Sequence, residues 1–189
     1  MAAERAERAR REEERAAAEV ARCASRAIPI RRDLSAIVTG HAWQLRRQLA
    51  EAQELLASNA WREWDCEQAA RLVTTARGNA ARAVSRLGAP SLPHWHERAA
   101  DPNVQAAALE ACRHLSDLDL DWASDRNSAG WSQSTCWTGH ALAERASLDQ
   151  GAAAHALAIL HVHRKQLTDS QRLALFGEPE MASQPALAL

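Results

Sequence analysis

The sequence contains very few of the residues that favour β-strands. It has no tyrosine, one phenylalanine and only four isoleucines, whereas strands are enriched in aromatic and β-branched residues. The strong helix formers alanine, leucine, arginine and glutamate are abundant instead. We therefore expect an all-α protein, and its 189 residues are enough for one domain or two small ones.

Long apolar runs are also missing. No stretch of about 18 apolar residues is present, which argues against a membrane-spanning helix. The N-terminal sequence MAAERAERARREEER lacks the apolar core of a secretory signal. The four cysteines are far apart and form no CxxC motif, which fits reduced thiols better than a disulfide framework. We expect a cytoplasmic protein with no membrane partner.

Lysine is almost absent. Of the 23 basic residues, 22 are arginine, and the exception is Lys165. GC-rich coding explains this bias as readily as function does. The net charge of −1 conceals an asymmetry, because residues 1–88 contain 16 arginines against 12 acids, whereas residues 89–189 contain 7 basic residues against 12 acids. This asymmetry points to an anionic partner for the first half.

Helix-breaking residues divide the first half of the chain. Residues 2–27 are predicted to form an exposed helix that ends before Pro29. Asp33 is a candidate N-cap for a second helix, over residues 34–57.

Two amphipathic helices are predicted to form a hairpin. The second helix, over residues 34–57, and a third, over residues 60–87, each carry an apolar stripe at helical spacing, and a short turn joins them. We expect a long antiparallel hairpin and assign residues 1–88 to an N-terminal domain. The tryptophans expected in its core are Trp43, Trp61 and Trp64.

A linker and a smaller C-terminal helical bundle are predicted to follow. The sequence GAPSLP (88–93) is rich in turn residues, and residues 94–177 form the second subdomain. Asp101 followed by Pro102 predicts an N-cap and the first position of a helix that ends near Leu118.

Polar and acidic residues predict a loop inside this subdomain. The stretch 117–133 is turn-rich, and we expect Asp117, Asp119 and Asp121 to be solvated in it and Trp131 to be exposed. An Mg²⁺ site on these acids is the alternative.

Two capping boxes of the form S/T-x-x-Q predict the last two helices. The motifs begin at Ser147 and at Thr168. We expect helices over residues 148–166 and 169–176, followed by a loose tail, residues 178–189.

Arginine without neighbouring acids predicts contact with nucleic acid. Four arginines of the third helix have no acid between them, and such a basic helix face can follow a phosphate backbone. Pairing with acids elsewhere in the fold is the alternative. The predicted nucleic-acid-binding residues are Arg46, Arg47, Arg71, Arg77, Arg82 and Arg86, with a second patch of Arg126, Arg164 and Lys165.

No catalytic constellation is present in the sequence. There is no Walker A motif, no G-x-G-x-x-G and no G-x-S-x-G nucleophile elbow. Cys136-x-x-x-His140 places two ligands on one helical face, which is half of a zinc site, but no second pair stands at metal-ligand spacing. We predict a non-catalytic protein without cofactor or metal, and leave zinc at Cys136 and His140 as the alternative.

One C-terminal segment carries a family resemblance. Residues 125–167 contain R-N-x-x-G-W, then G-H-x-L-A, and end on the basic R-K-Q-L. This pattern resembles a short module of phage and plasmid DNA-processing proteins, some of them helicases. The matching residues are Arg126, Asn127, Gly130, Trp131, Gly139, His140, Leu142, Ala143, Arg164, Lys165, Gln166 and Leu167.

The whole-chain outline is helical, rich in arginine and without an active site. It resembles the small helical subunits of multisubunit CRISPR effector complexes, which line the groove that holds target and displaced strands without cutting them. The resemblance implies a role in antiviral defence, with single-stranded RNA or DNA and the proteins of a multisubunit complex as partners. A structural or adaptor protein that binds only other proteins is the alternative.

Overall fold

The computed structural model describes residues 2–122 and 129–177, with side chains from residue 4 onward. These residues form eight α-helices and three short 3-10 helices, and they contain no strand. The expected all-α class is confirmed. Within the same two ranges, no helix is both long and apolar enough to cross a membrane.

The chain divides into two compact units, Met1–Asn79 and Ala80–Leu189. The boundary predicted from the linker, between residues 88 and 94, stays a prediction. The α-helices are α1 (Ala2–Gly40), α2 (Leu49–Ala57), α3 (Glu63–Leu87), α4 (Pro93–Arg98), α5 (Pro102–Leu118), α6 (Cys136–Ala143), α7 (Gln150–Val162) and α8 (Asp169–Phe176). The 3-10 helices cover Ala42–Gln44, Arg46–Gln48 and Arg164–Gln166.

Helix α1 runs through Pro29, so the predicted helix end at this residue is wrong, and so is the N-cap role of Asp33. One apolar stripe continues on both sides of the proline, which itself faces solvent. Burial of this stripe offsets the hydrogen bond that the proline ring removes. The buried residues of the stripe are Cys23, Ala27, Leu34 and Ile37.

The predicted helix over residues 34–57 is broken at residues 41–48. Two 3-10 turns separate α1 from α2, and Arg46, which begins the second turn, has a φ of 50°. This left-handed conformation cannot continue a right-handed helix. The carbonyl of Gln44 that the break leaves free is buried, and Asn79 Nδ2 donates to it at 2.7 Å.

Two of the three tryptophans expected in the core of the first unit are buried, and Trp61 belongs to its hydrophobic cluster. Trp43 and Trp61 are buried, and Trp61 Nε1 donates to the carbonyl of Leu55 at 2.8 Å. The prediction for Trp64 is wrong, because this side chain is 64% exposed. The prediction placed residues 61 and 64 on one helical stripe, but residue 61 lies outside the helix because α3 begins only at Glu63.

The second unit has a core of leucine, alanine and cysteine, with few large aromatic rings. Small side chains allow its short helices to approach closely. Helix α4 was not predicted, although Pro93 at its first position is a favourable start. Its Trp95 packs edge-on against Phe176 of α8, with ring centroids 5.9 Å apart. The fully buried leucines of this core are Leu115, Leu142, Leu157, Leu160 and Leu175.

Capping residues fix the helix ends of the second unit. Helix α5 begins after Asp101, whose carboxylate accepts a hydrogen bond from the backbone N–H of Asn103 at 2.8 Å, as predicted. The capping box that begins at Thr168 is also confirmed. The box predicted at Ser147 is wrong, because Asp149 caps α7 instead and this helix covers only Gln150–Val162. A carboxylate directly before the helix is a strong N-cap.

Candidate functional site

The end of α5 and the start of α6 bring three potential metal ligands together. Cys136 and His140 lie one turn apart on α6, as their spacing predicts. Asp119 is the residue directly after α5. One ligand atom from each residue lies within 4.8 Å of the other two, and all three residues are buried. We call these residues the Asp119–Cys136–His140 cluster.

The Oδ2 atom of Asp119 is the meeting point of this cluster. His140 Nε2 lies 2.9 Å from it, and Cys136 Sγ lies 3.5 Å from it. The Asp119 side chain has no exposed surface, so the prediction that this acid is solvated is wrong. A buried carboxylate needs hydrogen bonds or a nearby positive charge, and His140 and Cys136 supply hydrogen bonds to Asp119.

Gly130 lets the chain pass close over Asp119. Its φ is +68°, and a Cβ at this position would lie 2.4 Å from the Cβ of Asp119. Gln166 holds the glycine from the other side. The Gln166 Oε1 atom accepts from the Gly130 N–H at 2.7 Å, and Nε2 donates to the Gly130 carbonyl at 2.9 Å. Two hydrogen bonds therefore fix the backbone against the buried acid.

Trp131 is buried, so the prediction that it is exposed in a loop is wrong. Its Nε1 donates to Ser116 Oγ at 2.9 Å. The ring lies against Gly139 of α6, where a Cβ would be 2.2 Å from the ring atom Cε2. Only glycine allows this approach, so the turn and α6 are fitted to each other.

His163 supports the same region from the end of α7. Its Nε2 lies 2.9 Å from Thr135 Oγ1, directly before α6, and its ring packs edge-on against Trp131 with centroids 5.4 Å apart. Burial lowers the pKa of His163, and the nearby Asp119 carboxylate offsets part of this effect. The imidazole is therefore held mainly neutral at pH 7.

Several residues of the DNA-processing module resemblance surround this cluster. Sequence reasoning connected them as a pattern but gave no indication that they enclose a buried acid. Arg126 and Asn127 of the same pattern lie outside the described residues, and Leu142 and Leu167 are buried in the core. His140 belongs to the cluster, Gly130 lies against Asp119, and Gln166 bonds to Gly130. Gly139 of α6 lies against Trp131.

The predicted nucleic-acid-binding arginines of the first unit lie mostly at the surface. Arg47, Arg71 and Arg77 are exposed, whereas Arg46 is half-buried. Arg71 and Arg77 both project from α3. Their side chains keep 72% and 65% of their surface exposed, so both guanidinium groups can reach a ligand.

Both α3 arginines of the first unit have acidic neighbours. Arg77 lies 2.6 Å from Asp33, and Arg71 lies 3.8 Å from Glu67. Hydrogen bonds from Arg32 and Arg77 lower the pKa of Asp33. The arginine of each pair is exposed to solvent, which weakens ion pairs, so an incoming phosphate can compete with the carboxylate.

The predicted arginines of the second unit make contacts within the fold. The Arg82 guanidinium lies 5.0 Å from the ring centroid of Trp137, and Arg86 donates to the carbonyl of Ser134 at 2.8 Å. Arg164 donates to the His161 carbonyl at the end of α7, at 3.1 Å. Lys165 is exposed. The remaining candidate, Arg126, lies outside the described residues.

Sequence patterns did not reveal the neutral residues that lie beside Arg71 and Arg77 on α3. Four exposed residues share one face of α3, because Thr74 and Thr75 each lie three or four residues from both Arg71 and Gly78. We call them the α3 stripe. A Cβ at Gly78 would meet nothing within 4 Å, so the first unit does not need a glycine there. The sequence does show that residues 68–96 contain no acid, and this pattern could have indicated an exposed face of α3 on which neutral residues accompany arginine.

No family model, curated protein or solved structure matches this chain.

Proposed function

We propose that this chain is a non-catalytic accessory subunit of a cytoplasmic nucleic-acid-processing complex, similar in role to the small subunits of CRISPR effector complexes in antiviral defence. It would contact the phosphate backbone of single-stranded RNA or DNA through arginine. The exposed arginines of α3 in the first unit carry this proposal, because residues 68–79 contain two arginines and no acid. Each arginine that neutralises a phosphate releases counterions and so favours binding.

The chemistry of the α3 stripe fits a phosphate backbone. The guanidinium of Arg71 can donate two parallel hydrogen bonds to one phosphate. Threonine hydroxyls are common donors to phosphate oxygens, and Thr75 lies on this face. The Thr74 hydroxyl donates to the Ala70 carbonyl at 2.9 Å and would have to rotate to reach a phosphate. Gly78 leaves room for a backbone to approach the helix closely. Such contacts position a strand without reading its sequence.

Binding of a labelled single-stranded oligonucleotide at several salt concentrations tests this proposal. We expect the double variant Arg71→Glu/Arg77→Glu to weaken binding at least tenfold. Losing two phosphate contacts should also reduce the slope of log Kd against log salt concentration by about 1.4 for a single strand. The matched control is Arg5→Glu/Arg8→Glu, the same charge change on the exposed start of α1.

Two results would contradict the proposal. One is the absence of salt-dependent binding at low ionic strength, for RNA and DNA alike. The other is an equal loss of affinity in the α3 variant and the α1 control, since net charge alone would then explain the binding.

The variant Gly78→Ala tests close approach separately. Alanine should stabilise the free protein by about 0.5–1 kcal/mol, because glycine is unfavourable inside a helix. It should nevertheless weaken oligonucleotide binding, because the new methyl group projects from the α3 stripe. Unchanged affinity in a stabilised variant would limit the interface to the arginine side chains.

An adaptor that binds only other proteins is the second candidate. Two large apolar side chains of the first unit favour it, since Ile28 is 71% exposed and Trp64 is 64% exposed. Exposed tryptophan is a frequent anchor of protein interfaces. This candidate predicts that Trp64→Ser abolishes co-purification of partner proteins, whereas Arg71→Glu/Arg77→Glu leaves it unchanged.

A further inference from the structure

We propose that Asp119, Cys136 and His140 bind one divalent transition-metal ion, and that Zn²⁺ is the metal that this donor set fits best. A carboxylate, a thiol and an imidazole converge within 4.8 Å of one another in the interior of the second unit. Thiolate and imidazole are the donors that Zn²⁺ prefers over Mg²⁺ or Ca²⁺, and a carboxylate commonly completes such sites.

The distance between the carboxylate and the thiol already suits a tetrahedral ion. With metal–ligand bonds of about 2.0–2.3 Å, the donor atoms of a tetrahedral site lie roughly 3.3–3.8 Å apart. The distance from Asp119 Oδ2 to Cys136 Sγ is 3.5 Å, and that from Oδ2 to His140 Nε2 is 2.9 Å. A small outward movement of the imidazole is enough to replace this hydrogen bond by two bonds to the ion.

Cys136 and His140 are held one turn apart by α6. Cys136 is the first residue of this helix, and His140 follows one turn later. A bound cation favours the thiolate over the thiol. When the ion binds, the thiol proton leaves to solvent. The Nε2 proton that His140 donates to Asp119 moves to Nδ1 or, from an imidazolium, leaves to solvent as well, so the neutral imidazole coordinates through Nε2.

The charges of such a site cancel. One thiolate and one carboxylate balance the two positive charges of the ion, and the imidazole adds none. A neutral site is compatible with burial, because an unbalanced charge would carry a large desolvation cost. The cluster needs no further charged residue.

The turn after α5 supplies a fourth donor. Trp122 has a φ of 51°, a left-handed conformation that costs free energy for a bulky residue. In this conformation its carbonyl oxygen lies 3.4 Å from Cys136 Sγ. The strained turn thus directs a backbone oxygen at the cluster. The ion would fasten the turn at residues 119–122 to α6, which is a structural role.

Metal analysis of the full-length chain, purified without chelators in a non-thiol reductant, is the first test. We expect about one zinc ion per chain. Replacement of zinc by Co²⁺ should give visible bands typical of a tetrahedral site and a near-ultraviolet thiolate-to-metal charge-transfer band. Removal of the ion should lower the melting temperature, because an ion that binds only the folded state stabilises it.

Variants identify the ligands. Cys136→Ser should lower bound metal at least tenfold and abolish the charge-transfer band. The matched control is Cys23→Ser, which removes a buried thiol of the first unit and should leave both signals unchanged. His140→Cys keeps a ligand and adds a second thiolate, so this variant should retain Co²⁺ with a stronger charge-transfer band. This gain of signal remains informative if Cys136→Ser fails to fold.

The proposal is overturned if the folded wild-type chain contains less than about a tenth of an equivalent of transition metal and takes up no Co²⁺. It is equally overturned if folded Cys136→Ser binds metal as well as the wild type does, or if the Co²⁺ complex shows no thiolate band.

Discussion

Gly139 lies against the indole ring of Trp131, so closely that a Cβ at residue 139 would be 2.2 Å from the ring atom Cε2. The tryptophan cannot move aside without giving up the hydrogen bond from its Nε1 to Ser116 Oγ. The contact therefore ties the segment before α6 to the body of α5. It also positions the helix that carries Cys136 and His140.

The variant Gly139→Ala should destabilise the protein by about 1–3 kcal/mol, the usual cost of an added methyl group in a packed interior. The free energy of unfolding, from urea denaturation, measures this effect. Gly151→Ala on α7 is the matched control, because a Cβ there would meet only Asp149 Oδ1 at an ordinary 3.5 Å. Equal stability of the two variants would contradict the close contact at residue 139.

The variant Gln166→Ala removes both hydrogen bonds to the Gly130 backbone. We expect it to lower the free energy of unfolding by about 1–3 kcal/mol, because a polar group left without a partner in a buried position costs this much. Hydrogen exchange at the Gly130 amide should accelerate as well. The exposed Gln53→Ala serves as the control. A protected Gly130 amide in the Gln166 variant would show that another group holds the turn.

The variant Pro29→Ala should stabilise the protein, because α1 continues through this residue. Alanine is up to about 3 kcal/mol more favourable than proline inside a helix, and residue 29 is exposed, so no packing is lost. Circular dichroism and the melting temperature measure the gain, and Ser35→Ala on the same helix should change stability by about 0.5 kcal/mol or less. A loss of helicity would instead support a helix end at this proline.

The pH dependence of stability should show the titration of His163. Its pKa is lowered in the folded protein, mainly by burial, so the unfolded chain takes up a proton first when the pH falls. The stabilisation is complete above the ordinary histidine pKa of about 6.5 and is lost as the pH falls below this value. Urea midpoints between about pH 5 and 8 measure this slope, and His163→Gln should flatten it relative to the exposed control His94→Gln. An unchanged slope would assign the effect to other groups.

Local signals in the sequence were enough for the fold class and for two helix starts. The scarcity of strand formers indicated an all-α protein. Asp101 before Pro102 and the capping box at Thr168 marked the starts of α5 and α8, because a cap interacts with backbone only two or three residues away. The i, i+4 spacing of Cys136 and His140 also placed both side chains on one face of α6.

Tertiary contacts decided the buried cluster, the turn before α6 and the course of α1, because such contacts join residues that are far apart in the sequence. Asp119 looked like a solvated loop acid, and only the approach of α6 buries it against His140, 21 residues later. Trp131 and Gly130 looked like parts of an exposed turn, yet Ser116 and Gln166, from other helical segments, fix them. Likewise Pro29 signals a helix end locally, but burial of the apolar stripe on both of its sides carries α1 through it. Helix propensity acts over a few residues, whereas the burial of a side chain depends on its contacts with distant parts of the same unit.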